Sequence, residues 1–525
     1  MTPNMTETRP FSQFKNEHQP TKTKHLINLL RGWPAPSLLP THLIQAKANE
    51  VLSDPAIAIS ALQYAPDPGY QPLREALAEY LCKVYPSLDE FESAGQPRTF
   101  SSSEEECSAS IKDVWEAENF AITGGASQSI ACVLQSFTDP GYTRGIIISA
   151  PCYFLGCPIF EDAGFAGRLY AVREDEEDGM DLERLRGLLE GEDGRGSGDF
   201  VGEVRYKNPG KDRKIYRYVI YLVATSANPS GKTMSVEKRR RMVELARKHD
   251  ALIISDDVYD FLQWTTADKI SATNMKQRNI RPLPTLSQID IALGRSPHDP
   301  PGKHFGHAIS NASFSKLAGP GMRTGWIHGT KDFVHGFSVT GTNRSGGAAS
   351  QFAAAILAKM LQSGELPAWI DGVVKPALQE RYQLIMKAIK EELPDIVEVW
   401  NGNGPNEVSG DVSVFGGYFV WLTFPETIDT ERLAQRAREE ENLIIAPGTL
   451  FEVKGDEKNG GFRNNVRLCF SWEDKKNIVE GIKRLARVLG RILKDDDDLI
   501  HSDTAKIGMA REYKQLQEQE LRDSC

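Results

Sequence analysis

Three short aliphatic, β-branched runs, "GIIIS" (145–149), "YVIYLVAT" (218–225) and "ALIIS" (251–255), are separated by helical stretches. Strands covered on both faces read as near-continuous apolar runs of this kind. Between the second and third lies "VEKRRRMVELARKHD" (236–250). Ser235 is its expected N-cap, and Met242, Leu245 and Ala246 share one face. Strand–helix–strand alternation restricts the chain to an α/β fold, a parallel sheet covered by helices. Ligands of such sheets bind outside the carboxyl ends of the strands, so the residues just after each strand carry the chemical information.

The 525 residues divide by style. Residues 1–25 are polar and expected to be disordered. Residues 26–60 are expected to join a smaller domain, 61–344 to form the large domain, 345–494 a smaller α+β domain, and 495–525 a charged tail. In the smaller domain "YFVWLTF" (418–424) reads as a strand. Ile478, Ile482, Leu485, Leu489 and Ile492 step by four and three, which is one helical stripe facing a core. Residues 86–112 ("SSSEEECSAS" among them), 190–215 and 265–305 read as inserted surface loops, being Ser/Glu-, Gly/charge- and Pro-rich. Residues 503–522 are compatible with a helix.

Composition excludes several classes. Lys and Arg number 62 against 72 Asp and Glu, a net charge of −10. Phosphate backbones need basic patches, so no nucleic-acid partner is expected. No apolar run approaches a membrane span, and the polar start is no secretory signal. The seven cysteines are widely spaced, and free thiols in a reducing cytoplasm are the expectation. Cys152 and Cys157 are too few for zinc, and His304 and His307 are read as solvated. No metal is expected.

"VATSANPSGKT" (223–233) ends in Gly-Lys-Thr after a strand, as a nucleotide loop does. Such a loop needs a first Gly where Ser226 stands, and Pro229 removes a backbone N–H that it would aim at phosphate. A different phosphate site is indicated.

"SFSKLAGPGMRTGW" (313–326) is the most specific stretch. It sets a lone Lys after small polar residues, with an Arg seven residues later. It resembles the cofactor-lysine motif of class I/II aminotransferases, the fold-type I pyridoxal-phosphate enzymes. "ITGGASQSIACVL" (122–134), "APCYFLG" (150–156), "ATSANPSG" (224–231), "ISDDVYDFLQW" (254–264) and "NNVRLCFSW" (464–472) resemble further family segments, in family order. Within that branching family the motifs are most similar to the kynurenine/2-aminoadipate and aromatic aminotransferases.

The resemblance implies a mostly parallel, seven-stranded-type sheet sandwiched by helices, a smaller α+β domain, and pyridoxal 5'-phosphate. Lys316 would form a Schiff base with the cofactor aldehyde. Gly125, Ala126, Ser127, Ser313, Ser315 and Arg323 would hold the phosphate dianion. Tyr153 would stack on the ring, and Asp256 would keep the ring nitrogen protonated. Asn228 and Tyr259 would bond the phenolic oxygen. Arg467 would clamp the substrate carboxylate, a bidentate task that suits Arg. Gly32, in "INLLRGWPAPSLLP" (27–40), takes the close-approach position of the segment that covers the substrate. Tyr64 would reach the phosphate of a neighbouring subunit, implying a homodimer with shared sites.

The expected reaction is amino transfer between an amino acid and a 2-oxo acid, Lys316 serving as general base and then acid. The alternative on the same scaffold is a lyase or synthase, because the cofactor performs the hard step in either case. A regulator fused to a DNA-binding module would need a helix-turn-helix, for which the residues before position 26 are too few.

Overall fold

The computed structural model describes residues 24–88, 99–100, 114–194, 206–265, 279–400 and 414–499. Seven strands form its central sheet: β1 (Phe120–Thr123), β2 (Gly145–Ala150), β3 (Leu169–Arg173), β4 (Tyr218–Leu222), β5 (Ala251–Asp256), β6 (Ala308–Ser313) and β7 (Gly325–His328). Their spatial order is β1-β7-β6-β5-β4-β2-β3. The run from β6 to β3 is parallel, and β7 is antiparallel to both β6 and β1.

All residues of β2, β4 and β5 are buried, as their unbroken aliphatic runs require when both faces are covered. The run 218–225 stops being strand at Leu222. Just beyond it, the fully buried Arg239 takes the Ala224 carbonyl and the Thr225 hydroxyl, and Ser226 turns the chain at φ 50°.

Helix α1 (Ala126–Phe137) follows β1 and α2 (Val236–Lys248) precedes β5. Ser235 caps α2 by accepting from the Lys238 N–H, and Met242, Leu245 and Ala246 are buried. The stretch expected as a loop over 265–305 contains a helix, α3 (Leu286–Ala292). Thr285 caps it, and Leu286 and Ile289, three apart, sink into the core beneath the sheet. Polar, Pro-rich flanks conceal this short apolar pair in the sequence. Residues 266–278 of that stretch lie outside the described residues.

His307 is also not solvated. It is fully buried, its Nε2 is 2.9 Å from the Ser296 hydroxyl, and burial lowers its pKa to about 2. Of the expected loop 190–215, residues 195–205 are outside the described set. Its end is pinned by buried Ile215 and by Lys214, which pairs with Asp250 at 2.8 Å. Most of 86–112 is likewise outside, but the backbone of Thr99–Phe100 pairs antiparallel with Asn279–Ile280.

A second sheet is antiparallel, in the order β8 (Glu398–Val399), β9 (Phe419–Thr423), β11 (Asn465–Cys469) and β10 (Ala446–Pro447). Helices α4 (Gln351–Gln362), α5 (Lys375–Glu392) and α6 (Thr430–Glu441) precede and interleave with these strands, and α7 (Lys475–Leu499) follows them. Every member of the 478–492 stripe on α7 is buried. The helix runs past 494, where the charged tail was expected to begin; Arg436 donates to Asp495 there. The helix expected at 503–522 and the polar start 1–23 lie outside the described residues. Near the N-terminus, Ile27–Asn28 pairs in parallel with Leu443–Ile444, and the Leu29 carbonyl accepts from the Cys469 N–H at 2.7 Å.

The thiol expectation needs one correction. Cys132, Cys152, Cys157 and Cys469 are free and buried, but Cys82 is disulfide-bonded. Bridging depends on the separation of Cα atoms, which spacing along the chain does not reveal.

Candidate active site

A cavity of about 450 Å³ opens at the carboxyl ends of β2, β4, β5 and β6, where a doubly covered parallel sheet places its ligands. Lys316 enters it from a single turn, Phe314–Lys316, directly after β6. Ser313 caps that turn through its hydroxyl, which accepts from the Ser315 N–H at 3.1 Å. The lysine Nζ donates to the Gly32 carbonyl at 2.7 Å. Burial lowers its pKa to about 8; Arg467 adds to this, while Cys469 and Asp256 oppose it.

Asp256 is the last residue of β5. Burial raises its carboxyl to about 6, against the Tyr221 hydroxyl, which donates to it at 2.9 Å, and against Lys316. Its neighbour Asp257 turns away, accepts from Ser255 at 2.5 Å and takes no part in the cavity wall.

Another end of the cavity is an anion cradle. Gly125, at φ 104°, is the N-cap of α1, whose first residues Ala126 and Ser127 line the wall. The first N–H groups of a helix have no intrahelical partner and favour negative charge. Arg323 closes this end, donating through Nη2 to the Gly124 carbonyl at 2.7 Å. A Cβ on Gly125 would stand 2.8 Å from that same nitrogen, so only glycine leaves the cradle open.

Opposite, Arg467 projects from β11 of the second sheet. It donates to the Asn228 side chain at 2.8 Å and to the Leu30 carbonyl, and its guanidinium stacks on Phe419 at 4.0 Å. Its Nε is buried without a hydrogen-bond partner among the described residues. Gly32 lies against Phe419, where a Cβ would come within 2.8 Å of the ring. Tyr153 and Tyr259 complete the walls.

The cavity thus gathers Gly32, Ala126, Ser127, Tyr153, Asn228, Asp256, Tyr259, Ser313, Ser315, Lys316, Arg323 and Arg467 from segments far apart in the chain, with Gly125 at its edge. Tyr64 is not among them: it is 83 % exposed and packs over Gly346. Lys232, of the nucleotide-loop echo, also points elsewhere, to the Asp175 carbonyl and the face of Trp400.

Four contributors escaped sequence reasoning. Tyr221 and Asn311 both bond Asp256, and Trp33 and Phe419 line the cavity. The available signal was a polar group inside an aliphatic strand, "YVIYL" and "AISNAS", which must find a buried partner.

Residues 96–485 match the sequence profile described as aminotransferase class I and II. The chain belongs to that family. An uncharacterised protein of Saccharomyces cerevisiae is 33 % identical over 474 residues, covering 88 % of this chain and 96 % of that protein. Aromatic-amino-acid aminotransferase 1 of Thermococcus litoralis is 26 % identical, covering 90 % of each chain. The crystal structure of α-aminoadipate aminotransferase from Thermus thermophilus, complexed with N-(5'-phosphopyridoxyl)-L-leucine, shares the fold at a TM-score of 0.63 and 22 % identity, over 89 % of this chain and 93 % of that one.

The aminotransferase is thus a fold-type I, pyridoxal-phosphate-dependent transaminase, and the family supports transamination over the lyase alternative. Its residues fit the cofactor: a neutralisable buried amine, a buried carboxylate, and a cradle that a single methyl group would fill. Among the described residues no helix is long and apolar enough to cross a membrane.

Proposed function

We propose that the enzyme moves an amino group between an L-amino acid with an aromatic or 2-aminoadipate-like side chain and a 2-oxo acid, in a ping-pong cycle. One observation carries the reading: Lys316, Asp256, Arg323 and Arg467 converge on a single cavity. The likeness to the Thermococcus aromatic aminotransferase, and the apolar wall of Trp33, Phe154 and Phe419, support the side-chain class.

Pyridoxal phosphate, when bound, supplies an electron sink for the pair released at the substrate α-carbon. The chain does the rest. Gly125, Ala126, Ser127, Ser313, Ser315 and Arg323 hold the phosphate through N–H, hydroxyl and guanidinium donors. The Asp256 carboxylate keeps the ring nitrogen protonated, and Tyr221 and Asn311 hold that carboxylate in place. Asn228 and Tyr259 would donate to the phenolic oxygen, and Tyr153 would cover the ring. The Lys316 amine would hold the cofactor aldehyde and would take the proton from the substrate α-carbon. Arg467, whose buried Nε has no hydrogen-bond partner among the described residues, would grip the α-carboxylate with its planar fork and so aim the Cα–H bond at Lys316. Residues 26–60 and 345–494 close as a small domain over the substrate, Gly32 leading, and exclude water.

The enzyme works as a homodimer in the cytoplasm. Exposed Leu52, Ile59, Leu62 and Tyr64 support an association surface there, through which Tyr64 reaches the partner's phosphate site. Four free thiols support a reducing compartment, and the Cys82 disulfide counts against it. Sedimentation and cell fractionation test these two points.

The deciding experiment pairs a spectrum with a donor panel. Purified enzyme shows visible cofactor absorbance that Lys316→Ala loses together with transamination. With 2-oxoglutarate or pyruvate as acceptor, aromatic and 2-aminoadipate donors exceed alanine about tenfold or more in kcat/KM. A flat panel rejects the side-chain class, and an active Lys316→Ala rejects the role of the lysine.

A further inference from the structure

Two cysteines bracket Tyr153 on the cavity wall. The sulfur atoms of Cys152 and Cys157 are 3.8 Å apart, and both residues are buried. The transamination chemistry uses neither. The Cys152 N–H donates to the Phe451 carbonyl at 2.9 Å, which ties the end of β2 to the segment leaving β10. Cys157 opens the short helix Cys157–Phe160 and lies against Lys454, whose exposed side chain pairs with Glu161 at 2.9 Å.

The two thiols are unequal. A hydrogen bond from Cys152, together with Lys454, holds Cys157 below the ordinary thiol range. The same bond, together with burial, pushes Cys152 well above it. Two thiols in contact, one with a lowered pKa, can close to a disulfide on oxidation, and burial of both restricts the oxidant to a small one.

We propose that Cys152 and Cys157 are an oxidation site, closing to an intramolecular disulfide that displaces Tyr153 and slows transamination. The oxidant is a peroxide. The Cys157 thiolate attacks one peroxide oxygen; an S–O bond forms, the O–O bond breaks, and hydroxide leaves. The Cys152 thiol then attacks the sulfenic sulfur; the S–S bond forms, the S–O bond breaks, and water leaves. Two thiols lose two electrons, which reduce one peroxide to two waters. Bonding draws the sulfurs from 3.8 Å to about 2.05 Å. Cys152 is held by Phe451, so the movement falls on Tyr153–Gly156, the turn that carries the ring-covering side chain.

The test treats the holoenzyme with hydrogen peroxide, blocks remaining thiols with iodoacetamide, and digests with trypsin. Cleavage after Arg144 and Arg168 leaves both cysteines in one peptide. The expected peptide is two hydrogens lighter and unalkylated, and kcat falls ~10- to 100-fold, as an ångström-scale misplacement does. Dithiothreitol reverses both changes. In Cys157→Ser, Cys152 remains alkylatable and peroxide leaves kcat unchanged, whereas Cys132→Ser behaves as the unaltered enzyme does. A wild-type peptide that keeps two alkylatable thiols overturns the proposal, and so does a disulfide that leaves kcat unchanged. The mass readout on the unaltered enzyme needs no variant to fold, and it stands apart from the donor preference proposed above.

Discussion

The Arg467 guanidinium donates to the side-chain carbonyl of Asn228 across 2.8 Å, joining the second sheet to the turn that ends β4. The contact is buried and backed by the Phe419 and Phe451 rings at 4.0 and 4.7 Å. It fixes the guanidinium before substrate arrives. Arg467→Lys keeps the charge but loses the fork and the stacking. The amino-acid KM is expected to rise and kcat/KM to fall ~100-fold, about 3 kcal/mol. The visible spectrum of the resting enzyme stays unchanged. Steady-state kinetics beside that spectrum separate a lost carboxylate clamp from a lost cofactor.

Lys316 reports its surroundings without any cofactor. Burial sets its pKa near 8, where a solvated lysine stays charged to about 10.5. In the apoenzyme, reductive alkylation with a small aldehyde, quantified at the Lys316 peptide, is expected to be half-maximal near pH 8. A free lysine in solution should lag by about two units. A Lys316 profile that coincides with it would mean that the amine is as solvated as any other.

Gly125 combines φ 104° with a Cβ position 2.8 Å from Arg323 Nη2. Gly125→Ala therefore strains the backbone and pushes the guanidinium aside. A stability loss of about 1–3 kcal/mol is expected from the conformation. Cofactor affinity, titrated into apoenzyme, should fall by a further factor of ten or more, since the displaced Arg and the crowded N–H groups serve one phosphate. Ala126→Gly, one residue on and in helical conformation, should cost only about 1 kcal/mol of stability and leave affinity close to that of the unaltered enzyme.

The legible parts of this chain are those with a local cause. β2, β4 and β5 were readable because both faces are covered and nothing polar interrupts them. The stripe on α7 was readable because its period is helical. Lys316 and Asp256 were readable through motif spacing and their place at strand ends, and Arg467 through motif spacing inside an apolar strand-like run. Contacts made across the fold were not. Tyr221 meets Asp256 only because β4 and β5 are neighbours, and Gly32 meets Lys316 only because the N-terminal segment pairs beside Leu443. His307 and α3 looked polar because their partners, Ser296 and the sheet core, are remote from them in character. Tyr64 sits outside the cavity, exposed on its own chain, a placement that its local sequence does not reveal.

Asp256 gives the apoenzyme a testable pH signature. Its carboxyl titrates near 6 in the folded state, raised by burial, against 3.8 when exposed. Between those values the native protein holds a proton that the unfolded chain has released. Stability therefore falls as pH rises from about 4 to 6, by roughly 3 kcal/mol at two units of separation. Asp256→Asn cannot ionise and lacks this component. Over the same window the gap in unfolding free energy between the variant and the unaltered apoenzyme should widen in the variant's favour, while other groups cancel in the difference. Adding pyridoxal phosphate should narrow or reverse the gap, because only the carboxylate holds the ring nitrogen protonated. Denaturant titrations at pH 4.5 and 6.5, with and without cofactor, measure both effects. A difference that does not change with pH in the apoenzyme would place the Asp256 carboxyl in water rather than behind the Tyr221 hydroxyl.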